Sequence, residues 1–295
     1  MTGLEQHRRH PRTYRDNRFV YPVLSRRSHG LSIGINLNPD KVCNFDCIYC
    51  QVDRTSQAET RFVELDTVLA ELAGLVTQVS DESLWDDTSF ADIPPGLRRL
   101  NDIAFSGDGE PTTFRNFDEI VEQVAALKAR HGRDEVKLVL ITNASMFHRP
   151  HVERGLEILD ANRGEIWAKL EAGTEEYYQR VERTSIPFQQ VLDNILSAAQ
   201  RRPIVIQALF MRIDGEPPGA AEQQAFCDRL RDLIDQGGQV SLVQIYTVAR
   251  PPAESIVTPL KNIEVDRLVE LVRQQTGLAV NGFYGSLAGT MEAGQ

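Results

Sequence analysis

An alternation of short apolar segments with longer amphipathic ones constrains the fold of this 295-residue chain more than any other feature. Seven segments have the alternating or continuous apolar character of β-strands: residues 31–37, 102–107, 136–143, 165–172, 203–210, 240–248 and 278–284. Between them, apolar residues recur at helical spacings over residues 61–79, 117–127, 150–159, 188–196, 221–236 and 264–275. Alternating strands and helices imply a parallel sheet with right-handed crossovers. About six such units, fewer than the eight of a closed barrel, predict an α/β fold in the form of a partial (β/α)6 TIM-like barrel with parallel strands.

The composition and the absence of a long apolar run predict a cytoplasmic protein with no membrane segment. The chain is 41% hydrophobic and 25% charged, which is ordinary for a globular protein. No apolar run approaches the roughly 20 residues that span a bilayer, and the N-terminus lacks the apolar core of a secretory signal.

Charge is unevenly distributed along the chain. Residues 1–30 contain seven arginines against Glu5 and Asp16, a net charge of +5, so residues 31–295 carry −15 within an overall net charge of −10. A basic segment can contact a polyanion, but we favour a solvated arm or pairing with acidic groups of the same domain. We expect a basic extension over residues 1–30, a core domain over 31–284 and a flexible tail over 285–295.

Three of the four cysteines, Cys43, Cys47 and Cys50, lie within eight residues. In a reducing compartment, clustered cysteines hold a metal or perform redox chemistry more often than they form disulfides. A structural zinc site usually takes its ligands from two pairs, and this chain has no second pair. A cluster of four irons is bound by thiolates, and three cysteines leave one iron open to a substrate or cofactor. The spacing therefore favours an iron-sulfur centre.

The pattern Cys-x3-Cys-x2-Cys, with Tyr49 directly before the last cysteine, resembles the cluster motif of the radical S-adenosylmethionine (radical SAM) enzymes. The resemblance implies that Cys43, Cys47 and Cys50 are both metal ligands and catalytic residues, holding a 4Fe-4S cluster whose open iron chelates S-adenosylmethionine (SAM), with Tyr49 near the adenine. In this family one electron passes to the sulfonium, and a 5′-deoxyadenosyl radical then abstracts hydrogen from a substrate. An oxidoreductase of this kind needs a reductant such as flavodoxin or ferredoxin.

A second motif, SGDGEPT at residues 106–112, follows the second predicted strand. Gly107 and Gly109 allow close backbone approach to a ligand, and Glu110–Pro111 fixes a turn whose carbonyls can accept hydrogen bonds from an ammonium group. Alone, a glycine-rich turn after a strand is most often only a turn. The motif resembles the GGEP-type segment of the radical SAM family, which implies binding of the SAM amino group by Gly107, Asp108, Gly109, Glu110 and Pro111.

Polar residues end several other predicted strands, where α/β folds bind ligands. Asn143 fits either a turn or helix cap or a cofactor contact. Lys169 and Glu171 share one face of a strand because side chains alternate, and a buried charged pair needs mutual pairing or a polar ligand. The family resemblance implies the SAM carboxylate for Lys169 and the ribose hydroxyls for Glu171. Weaker candidates for cofactor or substrate contacts are Thr142, Arg183, Gln207, Gln244, Tyr246 and Arg250.

The resemblance covers nearly the whole chain. Segments from NPDKVCNFDCIYCQVDR to VQIYTVARPP look like a branch of iron-sulfur oxidoreductases similar to the wyosine-base (tRNA imidazoguanosine) synthases. Those enzymes carry further cysteines for a second cluster, whereas only Cys227 remains here, for which we predict a buried hydrophobic role. The acidic body argues against tRNA. We therefore predict a single-cluster enzyme whose substrate, a small molecule, a protein or tRNA, the sequence does not identify.

Three alternatives fit the same residues. The chain could install a glycyl radical in a partner protein, or it could modify a tRNA base. It could also be a non-enzymatic binding module in which zinc is held by the three cysteines with His29 or Cys227. Metal content distinguishes the module from the enzymes, and salt-sensitive RNA binding through the basic segment would support tRNA modification.

Overall fold

The computed structural model describes residues 12–54, 56–58, 60, 62–252 and 254–285. The chain divides into two compact units. The first comprises the described residues up to Cys43, with Arg54–Thr142 and His148–Ile166; the second comprises Asn44–Asp53, Asn143–Phe147 and the described residues from Trp167 onward. Residues 1–11 of the expected extension and 286–295 of the expected tail lie outside the described residues.

The described residues form ten strands and seven α-helices. The strands are β1 (Val20–Ser25), β2 (Gly30–Ile35), β3 (Leu100–Phe105), β4 (Lys137–Thr142), β5 (Gly164–Lys169), β6 (Ile204–Leu209), β7 (Met211–Ile213), β8 (Val240–Tyr246), β9 (Val257–Pro259) and β10 (Val280–Phe283). The helices are α1 (Leu65–Ser80), α2 (Phe117–Arg130), α3 (Pro150–Ala161), α4 (Glu175–Glu182), α5 (Phe188–Arg201), α6 (Ala220–Asp235) and α7 (Asn262–Thr276). No helix among these residues is long and apolar enough to cross a membrane.

In the first unit the strand order is β1-β2-β3-β4. β1 pairs antiparallel with β2, and β2, β3 and β4 are parallel neighbours. All six residues of β2 are buried, as expected of a strand covered on both faces. Glu71 of α1 accepts the backbone N–H groups of Phe19 and Val20, each at 2.9 Å, and so fixes the start of β1.

In the second unit the end of β5, from Trp167 to Lys169, is followed across the sheet by β6, β8 and β10, and these neighbours are parallel. The short strands β7 and β9 pair antiparallel with each other. Buried Glu222 of α6 accepts the N–H of Gly173 at 2.5 Å and the hydroxyl of Thr174 at 2.6 Å. These bonds hold the loop that leads from β5 into α4.

The predicted strands and helices are present, with ends shifted by a few residues, but sequence analysis missed β1, the β7–β9 pair and α4. β1 lies inside the expected extension, where the arginines obscure its apolar pattern. β7 and β9 have three residues each, too few to show a period. α4 has eight residues, of which only Tyr178, Val181 and Glu182 are buried, so it lacks a clear apolar stripe.

Candidate functional site

The cysteine loop, residues 43–50, has no regular secondary structure. All four cysteines of the chain are described, and none forms a disulfide. Cys43, Cys47 and Cys50 are partly buried, and the N–H of Cys50 donates to the Cys47 carbonyl at 2.9 Å. Among the described residues, no group of three His, Cys, Asp or Glu side chains could hold a single metal ion.

The backbone of the loop is fixed by the end of α4. The N–H groups of Asp46 and Ile48 donate to the carbonyls of Glu182 and Val181, at 3.1 and 2.9 Å. A hydroxyl just beyond the helix, that of Thr184, donates to the Asn44 carbonyl at 2.9 Å. The helix that sequence analysis missed is therefore the element that positions this part of the loop.

Asn143 also anchors the loop. Its amide donates to the side-chain oxygen of Asn44 at 2.9 Å, and its own side-chain oxygen accepts the N–H of Ser145 at 3.1 Å and the Ser145 hydroxyl at 2.6 Å. The Asn44 amide donates to the Ser145 hydroxyl at 2.7 Å, so the three side chains are hydrogen-bonded to one another. Ala144, between them, has a positive φ of 59°, a strained value for a residue with a side chain. Of the two roles considered for Asn143, this geometry matches the turn.

Cys47 contacts a pair of buried acids. Its sulfur lies 2.7 Å from a carboxylate oxygen of Glu182, which is 4% exposed. Burial, reinforced by Glu182, raises the pKa of the Cys47 thiol. Glu182 also hydrogen-bonds Glu171, and burial together with this neighbouring acid raises the pKa of Glu171.

Tyr49 and Lys169 meet beside this pair. The Tyr49 hydroxyl donates to Glu171, whose other oxygen accepts the hydroxyl of Tyr246 at 3.2 Å. The ammonium of Lys169 lies 5.3 Å from the centre of the Tyr49 ring, within the range of a cation–π interaction. Lys169 forms no ion pair with any residue that the structure describes. Lys169 and Glu171 therefore bind Tyr49 rather than each other.

The SGDGEPT motif, in the first unit, is fixed by Asn36. The Asn36 amide donates to the Asp108 carboxylate at 2.7 Å, and its oxygen accepts the Asp108 N–H at 3.1 Å. A Cβ on Gly107 would lie 2.2 Å from Asn36 Oδ1, and a Cβ on Gly109 would lie 2.2 Å from the carbonyl oxygen of Val42. The two glycines therefore allow other segments of the same chain to pack closely against the motif, and one of these segments contains Val42, the residue just before Cys43.

Glu110 is held inside the motif by hydrogen bonds from two threonines. One oxygen of its buried carboxylate accepts the N–H of Thr112 at 3.1 Å, the Thr112 hydroxyl at 2.5 Å and the Thr142 hydroxyl at 2.6 Å. Pro111 begins a short 3-10 helix at this point. Thr142, a weaker candidate for a cofactor contact, therefore has a partner within its own unit.

The remaining weaker candidates lie in the second unit. Gln207 and Gln244 are buried neighbours on β6 and β8, with the Gln207 amide donating to the Gln244 side-chain oxygen at 2.9 Å. The Arg250 carbonyl accepts the Gln51 amide at 3.3 Å. Arg183 follows the end of α4 and forms a half-exposed ion pair with Glu254 at 2.6 Å.

Two further features match their predicted roles. Cys227 is fully buried in α6, as predicted for a small hydrophobic residue. The basic segment pairs with acids of its own unit: Arg12 with Asp108 at 3.4 Å, Arg15 with Asp87 at 3.0 Å and Arg18 with Glu64 at 3.2 Å.

The sequence profile of the Radical SAM superfamily matches residues 37–223, more than half of the chain and all of the cysteine loop. The chain belongs to the radical SAM superfamily. Proteins of this superfamily use a 4Fe-4S cluster and SAM, so the predicted cofactors and enzyme class are confirmed. The same finding favours the iron-sulfur prediction over the zinc-binding module.

The chain is also similar to known proteins, in sequence to one and in structure to another. A UPF0026 protein of Helicobacter pylori is 25% identical over 235 residues, covering 78% of this chain and 66% of that protein. The chain thus spans slightly less than two thirds of that relative's length. A radical SAM methyltransferase from Sphaerobacter thermophilus has a similar structure, with a TM-score of 0.62 and 12% identity over 90% of this chain and 69% of its own.

The structural similarity to the methyltransferase shows the fold. The predicted partial α/β barrel of the radical SAM type is confirmed, and so is the resemblance to the family. A structure of TYW1 with a lysine-pyruvate adduct bound is a further neighbour, with a TM-score of 0.48 and 15% identity over 82% of this radical SAM chain and 73% of its own.

Sequence analysis missed several residues that position the site in this radical SAM protein. Asn44 and Ser145 are ordinary polar loop residues in the sequence, and only their meeting with Asn143 gives them a role. Glu182 looks like a solvated helix residue because it lies between Arg180 and Arg183 in the sequence, yet it is buried against Cys47. A signal was available only for Tyr177 and Tyr178, since paired aromatic residues in a polar helix suggest a buried face.

Proposed function

We propose that this chain is a radical SAM oxidoreductase in which Cys43, Cys47 and Cys50 bind a 4Fe-4S cluster and SAM is cleaved reductively. When bound, the cluster would supply one electron, received from a reductant such as flavodoxin or ferredoxin, and SAM would supply the 5′-deoxyadenosyl group that takes hydrogen from the substrate. The protein's own residues bind and orient the cofactor and exclude water from it.

The cysteine loop is the observation that carries the proposal. It presents three thiols outside disulfides, on a backbone fixed by the end of α4. Three thiolates suit an iron-sulfur cluster with one open iron, whereas a closed structural zinc site takes four ligands. The donor set therefore fits the cluster that the superfamily uses. Reduced thiols also suit the cytoplasm, where we place the protein.

Each unit offers groups that fit SAM. In the first unit, the carbonyl oxygens of Gly107, Asp108 and Gly109 accept no hydrogen bond from any described residue, and we assign the SAM amino group to this turn of Gly107–Pro111. In the second unit, we assign the SAM carboxylate to Lys169, the adenine to Tyr49 and the ribose hydroxyls to Glu171. In this assignment Tyr246 orients Glu171 through its hydrogen bond.

The test is anaerobic reconstitution followed by iron and sulfide analysis and by measurement of 5′-deoxyadenosine after dithionite reduction with SAM. We expect about four irons per chain, bound by three cysteines. Cys43→Ser, Cys47→Ser and Cys50→Ser should each lose the cluster and the product. Cys227→Ala is the matched control and should keep both, because Cys227 is buried in α6. One zinc per chain, no sulfide and no SAM cleavage would refute the proposal.

A further inference from the structure

Four residues of the second unit lie side by side across its parallel strands. The register pairs Lys169 of β5 with Gln207 of β6, Gln207 with Gln244 of β8, and Gln244 with Asn281 of β10. Residues paired in neighbouring strands point to the same face of a sheet. Lys169, Gln207, Gln244 and Asn281 therefore form one polar row.

The polar row lies on the face away from α7. Gly282, whose Cβ would approach Val265 and Val269 of α7, has the opposite orientation to Asn281 because side chains alternate. Two residues further along each strand on the same face as the row come Leu209 and Tyr246, which pack with Tyr49 in one hydrophobic cluster. The row thus faces the side of the sheet to which the cysteine loop contributes Tyr49.

The amides at the centre of the row are buried. Gln207 is 0% exposed and Gln244 is 2% exposed. The Gln207 amide nitrogen donates to Gln244 at 2.9 Å, but the Gln207 side-chain oxygen is buried without a hydrogen-bond partner. Buried strands of parallel sheets are normally apolar, and a buried acceptor without a donor destabilises the folded protein. Packing alone therefore does not account for Gln207.

A second unsatisfied group lies beside the same hydrophobic cluster. The hydroxyl of Tyr177, on α4, is buried without a partner, and its ring packs against the cluster together with Cys47 and Tyr246. Glu171 contributes to the raised pKa of Tyr177, after burial and Glu222, so the hydroxyl lies in the electrostatic field of Glu171. Two open polar groups in a well-packed interior point to a ligand that completes them.

We propose that Gln207, Gln244 and Asn281 of the polar row form the substrate-recognition surface of this enzyme and that the substrate has an N–H or O–H that donates to the side-chain oxygen of Gln207. The inference rests on the proposed function and adds the substrate class to it. The open atom of Gln207 is an acceptor, so a carboxylate or phosphate, which can only accept, does not pair with it. A hydrocarbon chain would leave it unsatisfied. Amides, lactams and alcohols meet the requirement.

The test uses the reconstituted enzyme without SAM and two probes of nearly equal shape. 2-Pyrrolidinone is a small lactam with one N–H, and N-methyl-2-pyrrolidinone has the same ring without a donor. In crystals we expect the lactam N–H on the Gln207 oxygen, at the length of an ordinary hydrogen bond. In ligand-observed NMR titrations we expect about fivefold tighter binding of the lactam, the effect of one hydrogen bond.

Two variants make the result specific. Gln207→Met keeps the length of the side chain and removes the acceptor, and it should bring the two probes to within about twofold of each other. Gln200→Met, on the exposed surface of α5, is the matched control and should leave the fivefold preference intact. If Gln207→Met does not fold, Gln207→Glu retains an acceptor and should still prefer the lactam.

Three results would overturn the inference. Equal binding of both probes would show that no donor is recognised. A crystal structure in which the Lys169 ammonium satisfies Gln207 would make the row a structural network. A SAM complex in which a SAM hydroxyl takes the Gln207 oxygen would assign the acceptor to the cofactor. The cleavage of SAM is measured separately. If the wild-type enzyme forms 5′-deoxyadenosine but shows no preference for the lactam, only this inference is contradicted. If it prefers the lactam but forms no 5′-deoxyadenosine, only the proposed function is contradicted.

Discussion

Buried Glu110 in the first unit and buried Gln207 in the second differ in how their polar atoms are satisfied. One oxygen of Glu110 accepts three hydrogen bonds from Thr112 and Thr142, all within its own unit. The oxygen of Gln207 accepts none. A group satisfied by its own protein fixes the backbone, whereas a group left open costs stability that a bound ligand can restore. Glu110 therefore serves to shape the motif, and Gln207 is the group available for recognition.

Gly109→Ala should have the largest effect on stability, because the motif around Glu110 packs closely against the backbone at Val42. The new Cβ would lie 2.2 Å from the backbone carbonyl of Val42, which cannot move aside as a side chain can. We expect a loss of about 3 kcal/mol in the free energy of unfolding. Denaturant titration measures it, with 5′-deoxyadenosine formation as a second readout.

Gly74→Ala is the control for that substitution. Gly74 is exposed in α1, and a Cβ there meets no atom within 4 Å. Alanine should therefore stabilise the helix by about 0.5–1 kcal/mol. Equal stability of Gly109→Ala and the wild type would show that the motif has room for a side chain.

Thr142→Val should have the next largest effect. Valine matches threonine in shape but removes the hydroxyl that donates to buried Glu110 at 2.6 Å. A hydrogen bond to a charged group contributes about 1.5–3 kcal/mol, and we expect a loss of this size in the free energy of unfolding. Thr77→Val, at an exposed position of α1, should change it by no more than about 0.5 kcal/mol. Similar values for the two variants would mean that Glu110 does not need Thr142.

Asn143→Ala tests whether this residue fixes the cysteine loop. The substitution removes the hydrogen bonds to Asn44 and Ser145, and we expect a loss of about 1–2 kcal/mol in the free energy of unfolding. The reconstituted variant should also release iron to a chelator several times faster, because the loop backbone is less constrained. Exposed Asn116→Ala serves as the control. Wild-type iron release from Asn143→Ala would leave the cofactor contact as its role.

The sequence predicted the parallel fold well because the signal for it is local. A buried strand such as β6 shows a continuous apolar run, and α5 shows a regular apolar stripe, whatever their neighbours are. The motif residues were equally visible, since cysteine spacing and paired glycines are read directly. Functional assignments that depend on a single residue's partners were not visible in this way.

Asn143 and Gln207 show why the partners of a single residue cannot be read from the sequence. The sequence left Asn143 open between a turn and a cofactor contact, and the hydrogen bond that supports the turn is made to Asn44, which is 99 residues away. Gln207 looked like one of several weak candidates. Its distinguishing property, an unsatisfied buried oxygen, exists only after β6 and β8 are paired in register. Satisfaction of hydrogen bonds is a property of the folded protein, and no periodicity in the sequence encodes it.

The smallest effect, and the sharpest test of the contrast between satisfied and open groups, comes from two adjacent tyrosines of α4. The Tyr178 hydroxyl donates to the Ile186 carbonyl at 3.0 Å, whereas the Tyr177 hydroxyl is buried without a partner. Tyr178→Phe should therefore lower the free energy of unfolding by about 1 kcal/mol, and Tyr177→Phe should leave it unchanged or raise it slightly. Each variant removes one oxygen from the same helix, so each is the control for the other. Denaturant unfolding of both separates the two cases. If Tyr177→Phe proves the more costly, the Tyr177 hydroxyl is satisfied within the protein, and Gln207 alone would then support the proposed ligand.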